Sequence, residues 1–133
     1  FGHGGSGHKR VGRSLMLGRR LAGVSQFAMA AIDGPAHGDR KDPGGFDLTS
    51  SMSEGGVDQM IDGMVEDWCA TLEHLTGLDI IDANRVAYAG FSMGTRFGIP
   101  FVAAAGTGLL SLAIFVVPGV LGARAGMVAA DVL

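Results

Sequence analysis

The stretch Asp82 to Gly106, "DANRVAYAGFSMGTRFGIPFVAAAG", decides how the chain is read. Arg85 to Gly90 is short, apolar and bounded by polar residues, which predicts a buried strand. Beyond Ser92 the pattern is helical, so strand and helix must meet in the few residues "GFSMG", Gly90 to Gly94. Pro100 falls inside that helix, where it deprives the Arg96 carbonyl of its donor and bends the axis.

Glycine, serine and glycine at this spacing, between a strand and a helix, form the G-x-S-x-G nucleophile elbow. A sharp strained turn lifts the serine hydroxyl clear of the strand, and side chains at Gly90 or Gly94 would collide with neighbouring backbone. The helix after the turn aims its first N–H groups at developing negative charge. Ser92 is therefore the expected catalytic nucleophile. Acyl transfer also needs two backbone donors for the oxyanion, one from the residue after the nucleophile and one from a glycine-rich loop elsewhere. "HGGSG", His3 to Gly7, is such a loop. Met93 and Gly5 are the expected oxyanion-hole residues.

Outward from these motifs the chain alternates between strand and helix patterns. Phe1 to Gly7 reads as a strand end and loop. A helix is expected from about Lys9 to Ala22, with Val11, Leu15, Gly18 and Ala22 on one stripe and Lys9, Arg13 and Arg20 on the solvated side. "QFAMAAI", Gln26 to Ile32, is continuously apolar and stops at Asp33-Gly34-Pro35, which predicts a buried strand. Residues 39–57 are rich in Asp, Gly, Ser and Pro and are expected to form a loop or cover segment. From Asp58 to Thr76 a helix is expected, its inner face carrying Ile61, Met64, Val65, Trp68, Leu72 and Leu75, with Gly77 as the stop. "LAIFVV", Leu112 to Val117, predicts a last strand ended by Pro118-Gly119. Phe97 to Ala123 carries no charge and has the length of a membrane span. Its internal Gly106, Gly108, Pro118 and Gly119 divide it into a helix-length and a strand-length piece instead.

Composition bounds the function classes. The chain has 133 residues, 47% of them hydrophobic, enough for a single core. A net charge of −3 and a sequence pI near 5.7 give no reason to expect nucleic acid or an anionic membrane as partner. Cys69 is the one cysteine, so no intrachain disulfide forms and a reduced cytoplasm is the expected compartment. The start "FGHGGSGHKR" lacks the apolar run of a signal peptide. A first residue other than methionine reads as chain removed upstream or as a piece of something longer.

With both motifs in place, the sequence resembles the α/β-hydrolase fold family over roughly Phe1 to Gly106. "HGGSG" looks like that family's oxyanion loop, "AAIDGPAHGDR" (Ala30 to Arg40) like the turn after its next strand, and "DANRVAYAGFSMGT" (Asp82 to Thr95) like its strand and elbow. The resemblance, closest in flavour to bacterial esterases and dienelactone-hydrolase-like enzymes, implies an α/β fold. That fold is a mostly parallel sheet with helices on both faces, here an incomplete α/β-hydrolase core in a single domain. It also implies a small-molecule ester as substrate, without cofactor or metal. In that family the triad acid and histidine follow the serine. After Ser92 this chain has no histidine and a single acidic residue, Asp131. His3 and His37 lie in loops expected near the same sheet edge, whereas His8 opens a helix and His74 sits on one.

Two other readings stand beside this one. "GHGGSG", Gly2 to Gly7, matches G-x-G-x-x-G, and Asp33 falls where the ribose-binding acid of a dinucleotide fold would sit. The same loop fails as a phosphate-binding P-loop, because His8 stands where the lysine belongs. The missing histidine instead suits a truncated or degenerate hydrolase that binds or oligomerises without catalysis. An incomplete sheet leaves open edges, for which a second copy or further segments are the expected cover.

Overall fold

The structure, a computed structural model, describes residues 1–41 and 56–106, and the backbone alone of residues 109–115. Helix α1 spans Gly12–Ser25, α2 Gly56–Thr76, strand β1 Val86–Phe91, α3 Met93–Ala105 and β2 Leu109–Phe115, with a 3-10 turn at Gly38–Arg40.

The expected α/β architecture, a mostly parallel sheet with helices on both faces, is not what these residues form. Helices of 14, 21 and 13 residues outweigh the extended structure. Among the described residues that is confined to β1, β2 and one isolated bridge between Gly2 and Gly90. β1 and β2 run parallel, with Ala87 opposite Ser111 and Phe91 opposite Phe115. The run Gln26 to Ile32 is not a strand. Gln26 takes the left-handed conformation at φ 56° as the cap of α1, and residues 26–28 are exposed. The Phe1 nitrogen donates to the Ala30 carbonyl, 2.7 Å away, but no ladder extends from that bond among the described residues. An apolar run becomes a strand only where neighbours pair with it along its length.

Helix α1 begins at Gly12 and not near Lys9, because the Lys9 backbone N–H is taken by the Asp33 carboxylate and Val11 closes a turn on the His8 carbonyl. Its expected apolar stripe is covered only in part: Leu15 is 45% exposed and Ala22 is exposed, whereas Val11 and Gly18 are half-buried. The inward side of α1 carries Ser14, Leu17, Gly18 and Leu21. Gly18 lies against Met29, and Ser14 is wholly buried with its hydroxyl unpartnered among the described residues.

The core lies between α2, α3 and β1. Met64 and Trp68 on α2, Tyr88 on β1, and Phe97 and Phe101 on α3 are all buried, with Ile61, Val65, Cys69 and Leu72 packed around them. Here the helical period read from the sequence holds, and α2 ends as expected, the Gly77 N–H donating to the Glu73 carbonyl at 3.1 Å. Trp68 meets Tyr88 edge to face at 5.3 Å between centroids and Phe101 at 5.8 Å, geometries that suit aromatic quadrupoles. Of the predicted segment 39–57, residues 39–40 belong to the 3-10 turn and 56–57 open α2, while 42–55 lie outside the described residues. The predicted last strand starts earlier, at Leu109, and Val116 and Val117 lie outside the described residues. No helix among the described residues is long and apolar enough to cross a membrane.

Two substitutions separate space from polarity in this packing. Gly98→Ala would drive a methyl group into the Tyr88 ring and is expected to cost about 1–3 kcal/mol by overpacking. Ser14→Ala removes a buried hydroxyl without a partner and is expected to stabilise by about 1 kcal/mol. Urea unfolding followed by Trp68 fluorescence measures both.

Candidate active site

Ser92 stands alone between β1 and α3, at φ 48° and ψ −108°. A non-glycine residue in that region costs on the order of 1–3 kcal/mol and persists only where its surroundings over-determine it. They do so here by close backbone contact. A Cβ on Gly94 would land on the Gly2 carbonyl, and one on Gly90 would lie 2.8 Å from the Gly94 carbonyl carbon and 2.9 Å from the Thr95 nitrogen. Hydrogen bonds lock the same seam. Gly2 N–H donates to Ala89 O at 2.8 Å and Phe91 N–H to Gly2 O at 3.0 Å. The Tyr88 hydroxyl donates to Gly94 O at 2.7 Å, and that of Thr95 to Gly90 O at 3.1 Å. Burial pushes the Tyr88 phenol above its usual range, so it acts as a fixed neutral donor.

The Ser92 side chain is exposed and makes no capping bond to its own helix. Its carbonyl accepts from Thr95 and Arg96, at 2.9 and 3.1 Å, as α3 starts. Met93 is the first residue of α3 and half-buried. Its N–H is one of the first-turn donors that a helix cannot satisfy internally. The glycine loop lies against this turn: a Cβ on Gly4 would sit 3.9 Å from the Ser92 Cβ and 3.7 Å from the Phe91 carbonyl. Gly5 is exposed, with open space where its side chain would be, and its carbonyl faces the His37 ring. Ser92, Met93 and the "HGGSG" loop are thus brought together, with Gly4 lying against the serine turn.

The loop is held by a polar clasp that sequence reasoning missed. Asp33 is buried, and its carboxylate accepts from Lys9 N–H at 2.7 Å and Asp39 N–H at 2.9 Å and pairs with the Lys9 ammonium at 2.9 Å. Burial alone would push this carboxyl up. The Lys9 side chain and the two backbone donors outweigh it and hold the group well below the usual carboxylate range. Lys9 also bonds Asp39 at 2.6 Å, and its ammonium is raised first by Asp33 and then by Asp39. Gly38, at φ 54°, leaves room for this carboxylate, on which any Cβ would land. The one legible signal was Asp33 before Gly-Pro, a turn residue. That its partner stands 24 positions earlier is a tertiary fact.

The histidines are similarly committed. His3 is buried, its Nε2 accepting from Gly34 N–H at 2.9 Å, so Nδ1 carries the proton and donates to Gly4 O at 2.8 Å. Burial pushes its imidazole below the usual value, in keeping with a neutral ring. His37 sits 5.4 Å from His3 between centroids, with its nitrogens each 2.6 Å from a carbonyl, those of Pro35 and Gly5. His8 accepts from Arg10 N–H, and His74 is on α2. No hydrogen bond joins the Ser92 hydroxyl to a histidine among the described residues.

An open cleft of about 520 Å³ is lined by Ile32, Asp33, Arg40, Asp67, Thr71 and His74 among others, and Ser92 is not part of its wall. Among the described residues no group of three or more His, Cys, Asp or Glu side chains is arranged to hold a metal ion. The buried, clasped Asp33 does not present a carboxylate to a ribose, which argues against the dinucleotide reading. Comparisons with family models, curated proteins and solved structures returned no match.

Asp33→Asn tests the clasp. Hydrogen bonds to a charged group contribute about 2 kcal/mol, and the variant is expected to lose that at neutral pH. A carboxyl held down in the folded state stabilises above its unfolded pKa, and that stability is lost as pH falls below about 4. The wild-type chain should show this loss on acid titration, followed by circular dichroism, and the variant should lack that component.

Proposed function

We propose that this chain carries the nucleophile and oxyanion elements of a serine hydrolase, with Ser92 attacking the carbonyl carbon of a small ester or related acyl compound. One observation carries the reading: a serine at φ 48° and ψ −108°, forced there by glycine contacts on both sides and opening a helix. Attack forms a bond from Oγ to the acyl carbon and moves the carbonyl electrons onto oxygen. The N–H of Met93, at the positive end of α3, and an N–H of the Gly4-Gly5 loop would receive that charge. Collapse breaks the bond from the acyl carbon to the alkoxy oxygen, which leaves as the alcohol with the proton given up by the Ser92 hydroxyl, and an acyl-enzyme remains on Ser92. The proposed compartment is the cytoplasm, supported by the lone half-buried Cys69.

A second reading, a degenerate hydrolase that binds without turnover, is favoured by the histidine geometry. A serine hydroxyl is a weak nucleophile without an adjacent base; both nitrogens of His3 are spent on the backbone, and those of His37 each face a carbonyl, to one of which a neutral ring can donate.

Labelling with a fluorophosphonate probe, read by intact mass, tests the proposal. Wild type is expected to gain one adduct, and Ser92→Ala none. Labelling that survives in Ser92→Ala would remove this serine from the chemistry. Adduct formation without ester turnover would support the degenerate reading. Ser92→Gly should also be stabilised by about 1 kcal/mol, because glycine accepts the positive φ without strain.

A further inference from the structure

Charge is distributed along this chain in two blocks. Residues 1–32 hold Lys9, Arg10, Arg13, Arg19 and Arg20, five of the ten bases, and none of the 13 acids, which begin at Asp33. Most of the first block is displayed on α1. None of the substantial contacts between helices and strands involves that helix. Its outward face centres on Met16, 67% exposed, with Arg19 and Arg20 three and four residues on and therefore beside it. Neither arginine has an ion pair among the described residues.

The matching surface lies on α2. Asp58, Asp62, Glu66 and Glu73 are exposed and fall on one side of that helix, opposite Met64 and Trp68. At the α-helical rise the stripe is about 22 Å long. The neighbouring Asp67 is satisfied by Arg40, but the four stripe residues have no ion pair among the described residues. The acidic face of α2 is thus uncompensated within the described chain, as is the basic face of α1.

We propose that the outward face of α1 docks on the acidic stripe of α2 in a second copy of this chain. Met16 would be covered at the centre, with Arg19 and Arg20 against Asp62 and Glu66. An anionic membrane fits less well. The remainder of the chain, with all 13 acids against five bases, would be repelled by it. The apolar residues of α1 are also interleaved with arginines and do not form one insertable face. Because the two surfaces differ, the contact is heterologous. Two copies close on each other only if both contacts form at once, and otherwise chains grow.

Sedimentation velocity on the full chain tests this without any substitution. Association is expected at about 0.01 M salt and its loss at about 1 M, where the screening length shrinks roughly tenfold. Two charge-reversed forms sharpen the test: R19E with R20E on α1, and D62K with E66K on α2. Each alone places like charges across the contact and should associate at least about tenfold more weakly than wild type. An equimolar mixture should recover association, since each form then complements the other. D79K with D82K, before β1, should retain the wild-type response, and circular dichroism checks that every form is folded. A wild-type chain that is monomeric at low salt overturns the proposal. So does undiminished self-association of either reversed form, or a mixture that stays apart. Binding to anionic vesicles by wild type, lost in R19E with R20E but kept in D62K with E66K, would assign the basic face to a membrane and likewise overturn it.

Discussion

The contact between the Gly2 carbonyl and the Gly94 backbone is the constraint on which the rest depends. No residue with a Cβ fits at Gly94 without displacing Gly2, and none fits at Gly90 without displacing the start of α3. Because these chain segments touch, β1 can turn into α3 within a residue, and the glycine loop is brought against the turn. The strain at Ser92 arises from the same contact. A residue that must leave a strand and enter a helix at once has no relaxed conformation available. The seam is sealed by side chains as well as backbone, since the hydroxyls of Tyr88 and Thr95 bond to carbonyls on either side of Ser92.

Tyr88 connects this seam to the core. Its hydroxyl reaches Gly94 while its ring packs against Trp68 and Phe101, so the aromatic cluster and the serine turn share one side chain. Gly98 lets α3 approach that ring closely enough for the arrangement to close. Hydrophobic burial therefore does two things here: it binds α2 to α3 and it fixes the height of the turn. The loop on the other side is held differently, by Lys9, Asp33 and Asp39, where charge and backbone donors replace apolar area.

Legibility in the sequence divides along these lines. The elbow and the inner face of α2 were legible, because local spacing alone determines a G-x-S-x-G turn and a helical stripe. The strand at β1 was legible for the same reason. The run Gln26 to Ile32 was misread because apolar content says that a segment seeks cover, not that a neighbouring strand supplies it. The α1 stripe failed in a related way: Leu15 and its neighbours have helical spacing, but no helix or strand packs substantially against them. These two misreadings produced the wrong sheet architecture. The Asp33 clasp was illegible, since nothing local marks Lys9 as the partner of an acid 24 residues away.

In the glycine loop, the buried His3 imidazole, which accepts from Gly34 and donates to Gly4, holds the glycines in place. Using the ring as a base would free Nε2, leave the Gly34 N–H buried without an acceptor, and cost about 1–3 kcal/mol. His37 is held differently, its two nitrogens facing the Pro35 and Gly5 carbonyls, to one of which a neutral ring can donate. The physical logic of the loop thus opposes proton transfer by His3. The strained serine turn at the start of α3 is built independently of either histidine. That turn requires glycines and a helix start: Gly90 and Gly94 lie beside Ser92 along the chain, and the fold brings Gly2 against them. A base beside that turn would require an imidazole with a free nitrogen, and at His3 the backbone has already claimed both.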